Sequence, residues 1–193
     1  MNVKADPSFY MIWIVFLLLG KTTTVFTVFI CGMLHEMGHI CAYSLCGLPK
    51  ADIRLTAYGI SADFKRRTGI SYKKEIICLL AGGLMNLITA PVFLIIYKLL
   101  PATDGAMDLC VCSLVFSILN LLPIYPLDGG RVIFSILATS TSLYNAKKIT
   151  ASLSVFFLVQ LTAFAIYTVW VTGFNVSLLL ICIYLFIYIL SGK

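Results

Sequence analysis

Residues Thr22–Gly47 read T-T-T-V-F-T-V-F-I-C-G-M-L-H-E-M-G-H-I-C-A-Y-S-L-C-G, and Glu36 is the one charged side chain among them. An apolar run of this length is long enough to cross a bilayer core of about 30 Å, which takes about 20 helical residues. The rest of the chain has the same character: of 193 residues, 61% are hydrophobic and 11% charged, and the mean hydropathy is +1.02. A soluble domain carries about 25% charged residues, and a chain this small must keep a polar exterior if water surrounds it. The surplus apolar surface therefore faces lipid. The net charge of +6 does not mark a nucleic-acid binder, because its basic residues gather between apolar segments, where they set membrane orientation. The 7 cysteines form no C-x-x-C pair, and most lie in apolar runs, where cysteine behaves as a small hydrophobe.

Six apolar segments follow from the pattern: about Phe9–Gly20, Thr22–Gly47, a third after Lys73–Lys74 ending near Leu100, about Ala106–Leu122, about Ile149–Val171 and about Phe174–Leu190. The first lacks a cleavage site and is read as retained rather than as a signal peptide. The fourth breaks at Pro123 and Pro126. Lys50, Arg54, Lys65, Arg66, Arg67, Lys73 and Lys74 fill one loop, and Arg131, Lys147 and Lys148 another, whereas Asp104 and Asp108 flank the turn between the third and fourth segments. Positive loops favour the cytoplasm, so both termini are expected inside. Ala51–Asp63 partly alternates apolar and polar residues, as a short strand pair turning near Gly59 would, or an irregular amphipathic surface loop. The expected fold is an all-α integral membrane bundle of six transmembrane helices, with a short membrane-surface β-hairpin after the second. Residues 1–193 are expected to form a single domain with its core at about 22–131.

The chemistry lies in His35-Glu36-Met37-Gly38-His39. Helical residues four apart share a face, so two imidazoles can reach one ion, with Glu36 beside them to take a proton from metal-bound water. These are the only 2 histidines of the chain, and ionisable groups at membrane depth usually mark a functional site. The bland alternative is a pair of hydrogen-bonded interior histidines. A catalytic zinc takes three protein ligands and keeps a fourth position for water. Asp6, Asp52, Asp63 and Glu75 lie outside the apolar segments, and Asp104 and Asp108 sit at the opposite face. That leaves Asp128, in N-L-L-P-I-Y-P-L-D-G-G from Asn120 to Gly130, which reaches the histidines if the prolines fold it back into the bundle. Its bland reading is a turn aspartate before Gly-Gly. Cys41 and Cys46 are conceivable soft ligands.

The H-E-M-G-H helix followed by N-L-L-P-I-Y-P-L-D-G-G resembles the site-2 protease family of intramembrane zinc metalloproteases, and most of all its bacterial sporulation branch. Ala81-Gly82-Gly83-Leu84-Met85-Asn86 resembles that family's A-G-P-x-x-N segment, with Gly83 in place of proline. The resemblance spans roughly Thr22–Arg131. It implies one zinc ion per chain held by His35, His39 and Asp128, with Glu36 as catalytic acid and base and Asn120 contacting substrate backbone or the metal's surroundings. It also implies a membrane protein or a membrane-associated pro-sigma factor as substrate, and the bacterial cytoplasmic membrane as location. The PDZ and CBS modules that many relatives carry find no counterpart in this sequence. An inactive zinc-binding scaffold and a metal-ion transporter are the competing readings; the intact Glu36 argues against the first, and the lack of a second intramembrane ionisable cluster against the other.

Overall fold

A computed structural model describes residues 3–5, 22–48, 52–56, 59–63, 71–100, 104–173 and 177–191. The expected first segment, Phe9–Gly20, lies outside them. The chain divides into two compact units, Met1–Leu119 and Asn120–Lys193.

In the first unit, β1 (Val3–Ala5) pairs in parallel with β2 (Asp52–Thr56), and β2 pairs antiparallel with β3 (Gly59–Asp63), Thr56 facing Gly59. No strand is expected at Val3–Ala5 from the sequence. Three residues carry no readable alternation, and their partner lies far along the chain. Helices α1 (Thr22–Leu45), α2 (Tyr72–Leu99) and α3 (Asp104–Leu121) complete the unit, the last two residues of α3 passing into the second.

Helix α1 ends because Gly47 takes a left-handed conformation, φ 66°, which glycine adopts without a Cβ penalty. The Gly47 amide then donates to Ser44 O and the Leu48 amide to Tyr43 O, at 3.1 and 2.9 Å. This double bond pattern satisfies the last carbonyls of a helix. Leu48 closes the turn by packing on Ala42, Tyr43 and Cys78, which ties the end of α1 to the start of α2. Lys74 secures the same corner, its Nζ donating to Cys46 O at 3.0 Å. In α2, Glu75 sits in the first turn and Lys98 in the last, each favourable to the helix dipole. The α1–α2 approach is very close at Gly38, where a Cβ would overlap Ala81 O and come within 2.8 Å of Met85 Cβ.

The second unit holds α4 (Asp128–Ser140), α5 (Leu143–Thr172) and α6 (Ser177–Leu190). Ile124, Leu158, Ala165, Cys182 and Leu185 form its core. Helix α4 corrects the sequence reading, which takes the stretch after the prolines as a basic loop. Helix α5 likewise starts at Leu143, six residues ahead of the expected boundary, because the Ser142 side chain caps it by accepting from the Asn145 amide at 3.3 Å.

Six helices are present among the described residues, and three are long and apolar enough to cross a membrane: Thr23–Leu45, Tyr72–Leu99 and Leu143–Thr172. Gly105–Leu121 and Leu178–Leu190 are apolar but shorter. Ile88, Ile95, Val159 and Phe164 stand exposed on the outer faces of the long helices. In water such surface would drive association. In a bilayer it is the face the solvent requires.

Candidate metal centre

Helix α1 sets His35 and His39 one turn apart on one face, and the two Nε2 atoms stand 3.1 Å from each other. The rings meet edge to face, with centroids 4.7 Å apart and planes at 89°. Both side chains are buried, at 6% and 5% exposure, among the first unit's three helices. Phe116 of α3 flanks the His35 ring at 6.4 Å, also edge-on.

The second nitrogen of His39 is already committed. Its Nδ1 lies 2.7 Å from the Cys78 carbonyl of α2, a partner that can only accept, so Nδ1 carries the proton. A metal-binding histidine is commonly oriented this way through its other nitrogen. The tautomer so fixed turns the Nε2 lone pair of His39 toward His35. Two nitrogens each about 2.0–2.1 Å from a tetrahedral zinc stand about 3.3 Å apart, so the pair fits zinc with a shift of a few tenths of an ångström.

Helix α2 supplies the space. A Cβ on Gly82 would overlap His39 Nε2, lie 2.5 Å from His39 Cε1 and 2.9 Å from His35 Cε1. Gly82 thus leaves open the volume at the ring edges that present Nε2. The sequence shows Gly82 and Gly83 first as close-packing residues. The particular role of Gly82 depends on which part of α1 it meets, and no local pattern reveals that. The Cys78 carbonyl is equally invisible in the sequence, since any residue offers a carbonyl.

Glu36 is partly buried, and as the residue after His35 it lies about 100° further round α1. Cys41 lies on the exposed face of α1, and the Cys46 side chain packs against the Cys78 cluster at the corner with α2.

Asn120 and Asp128 belong to the second unit, at the end of α3 and the first position of α4. The connection between them is pinned at several points. The Leu127 amide donates to Ile124 O at 2.8 Å, Ile124 is fully buried in the unit's core, and the Tyr125 amide donates to Ser154 Oγ of α5 at 2.8 Å. The glycines after Asp128 make this possible. A Cβ on Gly129 would lie 2.5 Å from Leu121 C and Leu122 O, and one on Gly130 would lie 2.6 Å from Ile124 O. The Pro-rich connection can lie directly on the first turn of α4 only because both side chains are missing. A carboxylate at a helix start also gains from the dipole.

The profile of peptidase family M50 matches residues 106–162, a stretch that contains both Asn120 and Asp128. Among solved structures, the chain is similar to a site-2 protease from Methanocaldococcus jannaschii, with a TM-score of 0.70 and 20% identity over 99% of this chain and 91% of that one. At that identity the likeness concerns the fold. No curated protein matches the chain in sequence.

Proposed function

We propose that the chain is an intramembrane zinc metalloprotease of the site-2 type. The carrying observation is the buried His35–His39 pair, with nitrogens 3.1 Å apart in an apolar helix. The M50 match over 106–162 and the likeness of fold support it. In this reading His35, His39 and Asp128 hold one zinc ion, a nitrogen and oxygen donor set that zinc accepts. Both units work as a single catalytic domain.

Zinc, when bound, supplies Lewis acidity to the scissile carbonyl and lowers the pKa of water. The side chains do the rest. Glu36 accepts the proton of the attacking water and returns it to the leaving amine. The Cys78 carbonyl keeps His39 in its ligating tautomer, and Asn120 hydrogen-bonds the substrate backbone. A membrane helix hides its peptide groups in its own hydrogen bonds, so the substrate must unwind before cleavage. The β2–β3 pair offers strand backbone with which an unwound segment can pair.

The substrate class is a membrane-embedded or membrane-associated protein, with a pro-sigma factor of the sporulation branch as the specific candidate. The bacterial cytoplasmic membrane is the location, with both termini and the basic loops on the cytoplasmic side. The test is Glu36→Gln, assayed for zinc content and for cleavage of a membrane peptide in proteoliposomes. Retained zinc with cleavage lost by a factor of at least about 100 is expected, at the lower end of what a general acid–base group contributes. Cleavage at the wild-type rate refutes the assignment.

A further inference from the structure

Asn86 of α2 is fully buried, and neither its Nδ2 nor its Oδ1 has a hydrogen-bond partner among the described residues. A carboxamide has two donor hydrogens and two acceptor lone pairs. Leaving all of these unmet inside a membrane protein is costly, because no bulk solvent stands by to relieve them.

Helix geometry brings polar side chains of α1 and α3 to the level of Asn86. Helices α1 and α2 run antiparallel, as the pairing of His39 with Cys78 and the meeting of His35 with Gly82 require. Helix α3 returns alongside α2, with Ser117 Oγ donating to Gly83 O at 2.9 Å. Three residues on from Gly83 along α2, and about a turn back from Ser117 along α3, Asn86 and Ser113 come to one level. Cys31 of α1 reaches that level too, its Sγ 3.4 Å from Ser113 Oγ. Cys31, Asn86 and Ser113 are all at 0% exposure. Asn86 is one turn beyond Gly82 on α2, and Cys31 one turn from His35 on α1, so this polar level lies about one helical turn from the histidine pair.

We propose that Asn86, with Ser113 and Cys31, forms a buried hydration site that holds one or two water molecules near the histidine pair. A buried water typically makes about three hydrogen bonds to polar groups that lack other partners, and Asn86 offers donors and acceptors together. Such a site keeps water within about a helical turn of the histidines, deep among the helices. Its contribution to hydrolysis rests on the protease reading; the hydration itself does not.

Two measurements test it on the full chain in lipid bilayers. The first is water-edited solid-state NMR, reading polarisation transfer from water to the Asn86 side-chain nitrogen. Transfer on the time course of the exposed Asn145 side chain is expected. Transfer as slow as that to the backbone amide of Ala90, buried on the same helix, overturns the site whether or not the chain is a protease. The second is Asn86→Leu, which removes both polar atoms while keeping the branching and number of heavy atoms. Zinc content and melting temperature are expected to hold or rise while kcat falls about tenfold at constant KM. A merely structural asparagine would leave kcat unchanged, and that result overturns the role in hydrolysis.

Discussion

Gly82→Ala tests whether the histidine pair is a metal centre or an interior hydrogen bond. The new methyl would lie 2.5 Å from His39 Cε1 and 2.9 Å from His35 Cε1, where non-bonded carbons settle at about 3.5–4.0 Å. One or both rings must therefore move by about 1 Å. Zinc–ligand distances hold to within about 0.2 Å, so the displacement is several times what the coordination tolerates. Loss of an orienting contact alone weakens metal binding by about 10–100-fold, and this displacement should cost at least as much, about 1.4–2.7 kcal/mol at 25 °C. The helix itself does not suffer, because alanine is favoured over glycine in a helix interior by about 1 kcal/mol. The assay is chelator competition on purified protein, reading the zinc dissociation constant beside helix content. Gly32→Ala and Gly105→Ala are the controls. Among the described residues, a Cβ on Gly32 meets only Phe116, at 3.9 Å, and one on Gly105 meets nothing within 4 Å. A Gly82→Ala protein that is folded and binds zinc as tightly as Gly32→Ala refutes the geometry.

Asp128→Ala should lose stoichiometric zinc while keeping its helix content, read by metal analysis after dialysis; undiminished zinc would remove Asp128 from the ligand set. Gly38→Ala should lower the unfolding temperature in detergent, since its methyl would overlap Ala81 O and crowd Met85 Cβ at 2.8 Å; overpacking of this kind typically costs about 1–3 kcal/mol. Ser154→Ala should free the Tyr125 amide from its 2.8 Å acceptor, leaving a backbone donor unmet at a cost of about 1–3 kcal/mol. Amide exchange at Tyr125 should then quicken, while exchange in the first unit stays as in the wild type.

The parts of the molecule legible in its sequence are those set by local spacing. His35 and His39 share a face because they are four apart on a helix, and the apolar runs of α1, α2 and α5 exceed what a soluble core requires. Where the reading fails, a non-local contact or a cap decides. Asp128-Gly129-Gly130 has the composition of a turn, yet it opens α4, because the two glycines let residues 121–127 lie against the first turn of that helix. Lys147 and Lys148 look like loop residues, but the Ser142 cap draws them into α5. Val3–Ala5 becomes a strand only through a partner about 50 residues away. Gly82 is visible as a small residue, and its meaning depends on which atoms of α1 arrive opposite.

The buried polar atoms of the helices differ in how their hydrogen-bonding demands are met. Hydroxyls inside an apolar helix can turn back on their own backbone, as Thr27 does to Thr23 O at 3.0 Å and Thr162 to Leu158 O at 2.7 Å. Such residues satisfy themselves and require nothing from a neighbour. Imidazole and carboxamide groups have no such return path of this simplicity, so their demands pass to other helices or to a ligand. His39 meets one demand on α2 through Cys78 O and directs the other at His35. Asn86 meets neither of its own among the described residues. In a medium that offers no water to exposed polar groups, side chains of that kind persist at a cost in stability unless something binds them. The histidine pair and Asn86 belong to one bundle and lie about a helical turn apart, so the groups whose demands reach beyond their own helix gather within one turn of α1 and α2.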